Sequence, residues 1–261
     1  MKTRIISGAV MGVIVAAFLA LGYLINTLFI CGALALLAGI ACFELLHNAL
    51  KLNNKLCEIG AYIYSAVAVV AFRWSYYAYI IISVVFFLFA VLLTLKNHQK
   101  FSLAQFITFC AMPILLSFAF SCLNNVVSLG LYYFLLLFNF SSVCDMGAYF
   151  TGTFLGKHKL CPTISPKKTV EGAIGGIISS MIITLVLAFC FKKAILIPII
   201  LTVPMCIVGM LGDLFASAIK RSVDLKDYGK LIPGHGGILD RVDSIIMIVP
   251  LMYVFTLIGV L

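Results

Sequence analysis

Apolar runs of about twenty residues recur along the whole of this chain, and about twenty is the length an α-helix needs to cross the hydrocarbon core of a bilayer. Nine such segments can be marked, at roughly 5–22, 25–46, 57–72, 76–95, 103–121, 126–148, 172–191, 194–217 and 243–261. The runs are continuous rather than alternating, which selects helices over the strands of a membrane barrel. Composition agrees, with 64% hydrophobic and 10% charged residues. Soluble domains carry about half apolar and about a quarter charged residues. The expected fold is therefore all-α: a polytopic membrane protein with about nine transmembrane helices. The first two segments are the least clearly separated, since no charge falls between Arg4 and Glu44 and only Gly22 and Asn26-Thr27 suggest a turn. The 57–72 segment is short for a full crossing.

Lysine and arginine positions orient the chain. With the N-terminus in the cytoplasm, fifteen of the eighteen fall on the inner side, and only Arg73, Lys192 and Lys193 fall outside. This bias accounts for the net charge of +9 without a nucleic-acid partner. The start of the chain, Met1-Lys2-Thr3-Arg4 before an apolar run, resembles a signal peptide but reads equally as a retained first anchor. Nine cysteines include no C-x-x-C pair, and most lie in apolar runs, as Cys31, Cys42, Cys110, Cys190 and Cys206 do. They read as small core residues rather than as a disulfide or zinc framework.

The polar chemistry is uneven. Residues 1–140 hold two carboxylates, Glu44 and Glu58, whereas 141–261 hold seven: Asp145, Glu171, Asp213, Asp224, Asp227, Asp240 and Asp243. The expected organisation is a scaffold over 1–140 and a catalytic region over 141–261, with two polar cytoplasmic loops at 145–172 and 212–244. In the second, Asp213, Ser217, Lys220 and Asp224 share one helical face. A carboxylate about 12 Å deeper than Arg221 along a helix axis is functional by default. A structural Asp213–Lys220 ion pair is the plainer alternative. The segment Pro233-Gly234-His235-Gly236-Gly237 bares its backbone, so it can approach a phosphate; a tight turn is the competing account. Asp240-Arg241-Val242-Asp243-Ser244 then opens the last apolar segment, where acids also favour the helix dipole. Oxygen ligands suit Mg²⁺, and Asp213 with Asp240 could supply such a site. In the first loop, Ser165-Pro166-Lys167-Lys168-Thr169 precedes Val170-Glu171-Gly172, placing two lysines beside a helix N-terminus as an anion site. Residues 152–157 read G-x-x-x-G-K, one residue short of a P-loop and without its Ser/Thr. Gly8/Gly12 and Gly172/Gly176 have the spacing of helix-packing pairs.

Two blocks carry a resemblance. Ser217-Ala-Ile-Lys220-Arg221, Lys226-Asp227-x-Gly229 and Ile232-Pro-Gly-His-Gly-Gly-Ile-Leu-Asp240-Arg241-x-Asp243 resemble the signature of phosphatidate cytidylyltransferases, the CDP-diacylglycerol synthases. Asp145 with Gly-Ala-Tyr, and Ile-Ser-Pro-Lys-Lys-Thr-x-Glu-Gly, resemble the family's other shared block. The first half resembles the family in hydropathy alone. The resemblance implies that CTP and phosphatidate give CDP-diacylglycerol and pyrophosphate, with Mg²⁺, alone or beside a second cation. It also implies a polar cavity open to the cytoplasm, a homodimer and residence in a bacterial inner membrane. The implied catalytic set is Asp213, Asp227, Asp240, Asp243, Lys220, Arg221, Arg241 and His235, with Asp213 and Asp240 on the metal. The implied substrate-binding set is Lys167, Lys168, Thr169, Glu171, Ser165, Ser217, Gly234, Gly236, Gly237 and Asp145.

Two other readings compete. A CTP-dependent polyprenol or dolichol kinase would transfer the γ-phosphate and release CDP. An ion-coupled transporter suits intramembrane acids, but its charged groups lie near the bilayer midplane and often in repeated halves. Here the acids gather toward one side, and no repeat is visible.

Overall fold

The computed structural model describes residues 2–51, 54–96, 102–232 and 236–261. The elements in order are α1 (Lys2–Leu24), α2 (Leu28–Phe43) with a π-helical turn over Glu44–Ala49, α3 (Lys55–Trp74), α4 (Tyr76–Lys96) and α5 (Leu103–Ser128). There follow α6 (Leu131–Phe138), a π turn over Asn139–Val143, α7 (Cys144–Leu155), β1 (Lys159–Cys161), β2 (Ser165–Thr169), α8 (Val170–Cys190), α9 (Leu196–Ser222) and α10 (Leu239–Leu257). The fold is all-α apart from the antiparallel β1–β2 hairpin.

The expected segments fall on helices, except that 126–148 begins in α5 and crosses the break at Gly130, and a count of nine crossings is not established. Among the described residues seven helices are long and apolar enough to cross a membrane: Leu28–Ala49, Lys55–Trp74, Tyr76–Lys96, Leu103–Ser128, Leu131–Leu155, Val170–Cys190 and Leu196–Ser222. The segment expected to be short is a full 20-residue helix. Asn54 starts it early by accepting from the amides of Leu56 and Cys57, an N-cap inside the polar stretch. Two boundaries differ for a shared reason. Asn124 and Asn125 suggest an end to the fifth segment, but both are inside α5, where Asn125 donates to the Ser121 carbonyl. Helix α5 stops only before Gly130, at φ 127°. Asp145 lies within α7 rather than opening a loop, and the expected loop shrinks to the hairpin and its flanks.

The chain divides into two compact units, Met1–Ser128 with Asp227–Arg241, and Leu129–Lys226 with Val242–Leu261. In the first, α2 and α3 pack through small residues, among them Ala35, Ala38, Ala41, Ala61 and Ala68. Lipid gives helices no hydrophobic reason to associate, so close van der Waals approach and internal hydrogen bonds must do so. The Tyr64 hydroxyl meets Ser83 at 2.8 Å, and the Tyr79 hydroxyl donates to the Ile114 carbonyl at 3.0 Å. Leu88 and Leu92 on α4 face outward, as lipid-facing residues do.

The second unit depends on glycine more directly. A Cβ on Gly172 would lie 2.7 Å from the Ala148 carbonyl, and one on Gly176 would lie 2.6 Å from the Cys144 carbonyl. The Gly172-x-x-x-Gly176 spacing is thus the seam along which α8 meets α7. Gly209 and Gly212 serve α9 in the same way: a Cβ on Gly212 would lie 2.9 Å from the Asp243 carbonyl on α10. All nine cysteines are free, and seven are buried, as core residues would be. Gly176→Val is expected to destabilise the protein by about 1–3 kcal/mol, the cost of overpacking a close seam. Gly12→Ala, with nothing within 4 Å of its Cβ, should be silent. Thermal unfolding in detergent checks the pair.

Candidate functional site

In the Leu129–Lys226/Val242–Leu261 unit, the α7–α8 and α9–α10 seams set the acids. Asp145 is in the first turn of α7 and Asp213 follows Gly212 on α9. Asp243 lies on α10 beside that same glycine. Asp243 interacts electrostatically with Asp213, Lys220 and Asp145, and Asp145 with Lys168 and Asp213. Three carboxylates and two lysines therefore share one local field. Lys168 Nζ reaches Asp213 Oδ2 at 2.5 Å as an ion pair. The ammonium is buried, and Asp213 is its charge partner. Lys220 is buried too, at the base of the same α9 face. Against the plainer alternative of a structural Asp213–Lys220 pair, Asp213 has a partner from β2, where successive residues of a strand point to opposite faces. Lys168 turns inward and Lys167 outward.

The hairpin that carries Lys168 is itself anchored. Thr169 caps α8, its hydroxyl accepting from the Gly172 amide at 3.1 Å. Glu171 accepts from the amides of Lys157 and His158 at 3.0 and 3.1 Å and meets His158 Nδ1 at 2.6 Å. In the structure Glu171 clamps the entry to the hairpin, with Ser165 opening β2. Ser217 is half-buried on α9. Arg221, exposed, donates to the Leu225 carbonyl at 3.2 Å and ties down the chain leaving the helix.

In the Met1–Ser128/Asp227–Arg241 unit, the glycine-rich segment is shaped by Asp240. Its Oδ2 accepts from the Tyr228 amide at 2.8 Å and the Gly237 amide at 3.0 Å. Ile232 and Gly236 exchange backbone hydrogen bonds, and Gly236 sits at φ 90°, where a side chain would be strained. Asp227 and Arg241 are exposed at either end of this segment. Gly234 and His235 lie outside the described residues. Sequence reasoning missed Glu44, whose carboxylate accepts from the amides of Ile238 and Leu239 at 3.0 and 2.9 Å. The available signal was a carboxylate inside an apolar run.

A magnesium ion can be tested against these groups. Hard carboxylate oxygens suit Mg²⁺, which takes one or two of them and completes its shell with water and phosphate oxygens. One or two of Asp213, Asp145 and Asp243 could contribute to such a partial shell. Among the described residues no three His, Cys, Asp or Glu side chains form a metal-binding group, so an all-protein cage is not what these residues offer. Asp240 already gives Oδ2 to two amides.

Residues 2–258 match the family model described as the cytidylyltransferase family. The chain is 37% identical over 267 residues to a phosphatidate cytidylyltransferase of Bacillus subtilis, covering 97% of this chain and 96% of that one. It is 42% identical over 175 residues to the phosphatidate cytidylyltransferase of Staphylococcus saprophyticus and 41% over 175 to that of Staphylococcus haemolyticus. In both staphylococcal matches the alignment spans 66% of each chain. The chain belongs to the cytidylyltransferase family.

If Lys168 is the counter-charge of Asp213, Lys168→Met should cost more than the ~0–1 kcal/mol of an exposed pair and up to ~3–5 kcal/mol of a buried one. Adding Asp213→Asn should recover part of that loss, because Asp213 is then no longer a carboxylate without its partner. A double-mutant cycle on unfolding in detergent measures the coupling.

Proposed function

We propose that this protein transfers the cytidylyl group of CTP to phosphatidate, giving CDP-diacylglycerol and pyrophosphate. The observation that carries this reading is the field of Asp145, Asp213, Asp243, Lys168 and Lys220 in a chain of this family. A phosphate oxygen of phosphatidate forms a bond to the α-phosphorus of CTP, and the bond from that phosphorus to the bridging oxygen of the β-phosphate breaks. Its electron pair leaves with pyrophosphate. The nucleophile is already an anion, so catalysis rests on positioning and charge neutralisation rather than on a strong base.

Lys168 suits contact with a phosphate, since an ammonium carries three donors and the Asp213 carboxylate holds this one beside the acids. Lys220, Arg221, Arg241 and Lys167 add positive charge, while Ser165, Ser217 and Thr169 add hydroxyls. Asp213, with Asp145 and Asp243, would hold Mg²⁺, alone or beside a second cation. The ion would offset the negative charge of the phosphates. Gly236 and Gly237, with Gly234 and His235, would present backbone to the triphosphate, and Asp227 and Asp240 would order that segment. The lysine and arginine bias supports a cytoplasmic N-terminus and chemistry on the inner face of the plasma membrane. A homodimer follows the family resemblance.

Purified protein in detergent with labelled CTP, phosphatidate and Mg²⁺ should form CDP-diacylglycerol and pyrophosphate, and chelation should stop it. Release of CDP with a phosphorylated lipid would make the protein a lipid kinase instead. Asp213→Asn should lower kcat by about a hundredfold or more, the scale of losing one preorganised electrostatic group. A near wild-type rate in that variant would remove Asp213 from the metal site.

A further inference from the structure

The mechanism just described leaves unused the buried carboxylate at the end of α2. Glu44 is 4% exposed and begins the π-helical turn Glu44–Ala49, a local widening that often marks functional positions. Its two oxygens are each occupied: Oε1 accepts from the Ile238 amide and Oε2 from the Leu239 amide. The Leu239 amide is the first donor of α10, with no partner within the helix, and the Ile238 amide lies just before it. One turn further along the π segment, Asn48 Nδ2 donates to the Tyr228 carbonyl at 2.6 Å. With Asp240 on the Tyr228 and Gly237 amides, three side chains take five backbone groups at the two ends of one segment. Glu44 and Asp240 also feel each other's charge, so two buried acids are held side by side by the amides they share out.

The glycines fit this clamp. A Cβ on Gly229 or Gly237 would collide with the Glu44 carboxylate. Both positions lie inside the segment that Glu44 and Asn48 grip. The grip crosses about 190 residues of sequence, and no local turn chemistry would produce it.

We propose that Glu44, assisted by Asn48, is a positioning residue that holds the Tyr228–Gly229 and Gly236–Leu239 backbone where the nucleotide's phosphates would meet it. The inference rests on the cytidylyltransferase reading, since it is the CTP phosphates that this backbone would meet. Glu44 itself touches no substrate. Its carboxylate fixes where α10 begins and so where the amides before it point. A glutamine there keeps the volume but sets an NH₂ against one of the two amide donors.

The test uses the full chain in nanodiscs. Glu44→Gln is expected to raise the KM for CTP about tenfold, the scale of a lost hydrogen bond to a charged group. The KM for phosphatidate and kcat should stay within about threefold, because chemistry and lipid binding are not what the clamp holds. Hydrogen exchange should speed up in peptides covering 228–239 while peptides from α3 are unchanged. Asn48→Ala should show the same pattern more weakly and decides the matter if Glu44→Gln fails to accumulate. Unchanged CTP affinity and exchange would overturn the proposal. So would a uniform loss of exchange protection and of all kinetic constants, which is the mark of a merely structural role. Equilibrium CTP binding separates the two readings. A wild type that binds CTP but forms no CDP-diacylglycerol sinks the proposed reaction, and the clamp is then still judged on binding and exchange.

Discussion

Lys168 against Asp213 is the contact on which the chemistry of the Leu129–Lys226/Val242–Leu261 unit depends. A carboxylate on a helix of lipid-facing character has no bulk water to offset its charge, and the protein must bring the compensation to it. The compensation comes from a strand, so a two-stranded hairpin persists in an otherwise helical protein. Strand alternation separates Lys168 from Lys167, and the Glu171 clamp with the Thr169 cap fixes where the strand gives way to α8. One ion pair thereby explains why the polar stretch between α7 and α8 is ordered.

The acids could not share a field without bare backbone between helices. Asp213 follows Gly212, and Gly212 lies against the backbone of Asp243. A side chain at 212 would push α9 from α10 and separate the two carboxylates. Likewise Gly172 and Gly176 seat α8 on α7, whose first turn holds Asp145. Two needs therefore meet at the same glycines: association in lipid, which rewards close van der Waals approach, and electrostatic coupling, which falls with distance.

Much of this was legible in the sequence because hydropathy acts over whole segments. The apolar runs fall on helices except where 126–148 crosses the break at Gly130, and the Gly172/Gly176 spacing marked a real seam. Boundaries were less legible where a polar residue is satisfied inside a helix. Asn125 bonds back to the Ser121 carbonyl and does not end α5, and Asp145 is held by field partners and does not end α7. The acids and lysines of the site were legible as types, but their pairing was not. Helical spacing offered Asp213 with Lys220 only as the plainer alternative. The partner at 2.5 Å comes from a hairpin forty-five positions earlier, which no periodicity announces.

Glu44 sharpens that distinction. In sequence it is one of two acids in the first 140 residues, and its chemistry looks isolated. Its meaning lies in what its neighbours lack. Gly237 reads in sequence as backbone bared for a phosphate, and that reading needs only its freedom from a side chain. The structure adds a second demand on the same atoms, because Glu44 occupies the space a Cβ would need. A glycine under both demands tolerates substitution less than either alone would require. Gly229→Ala and Gly237→Ala should thus behave like loss of the Glu44 carboxylate, although neither removes a hydrogen-bonding group. The acid and the glycines form one unit of structure, separated in sequence by almost the whole chain and joined by two amides.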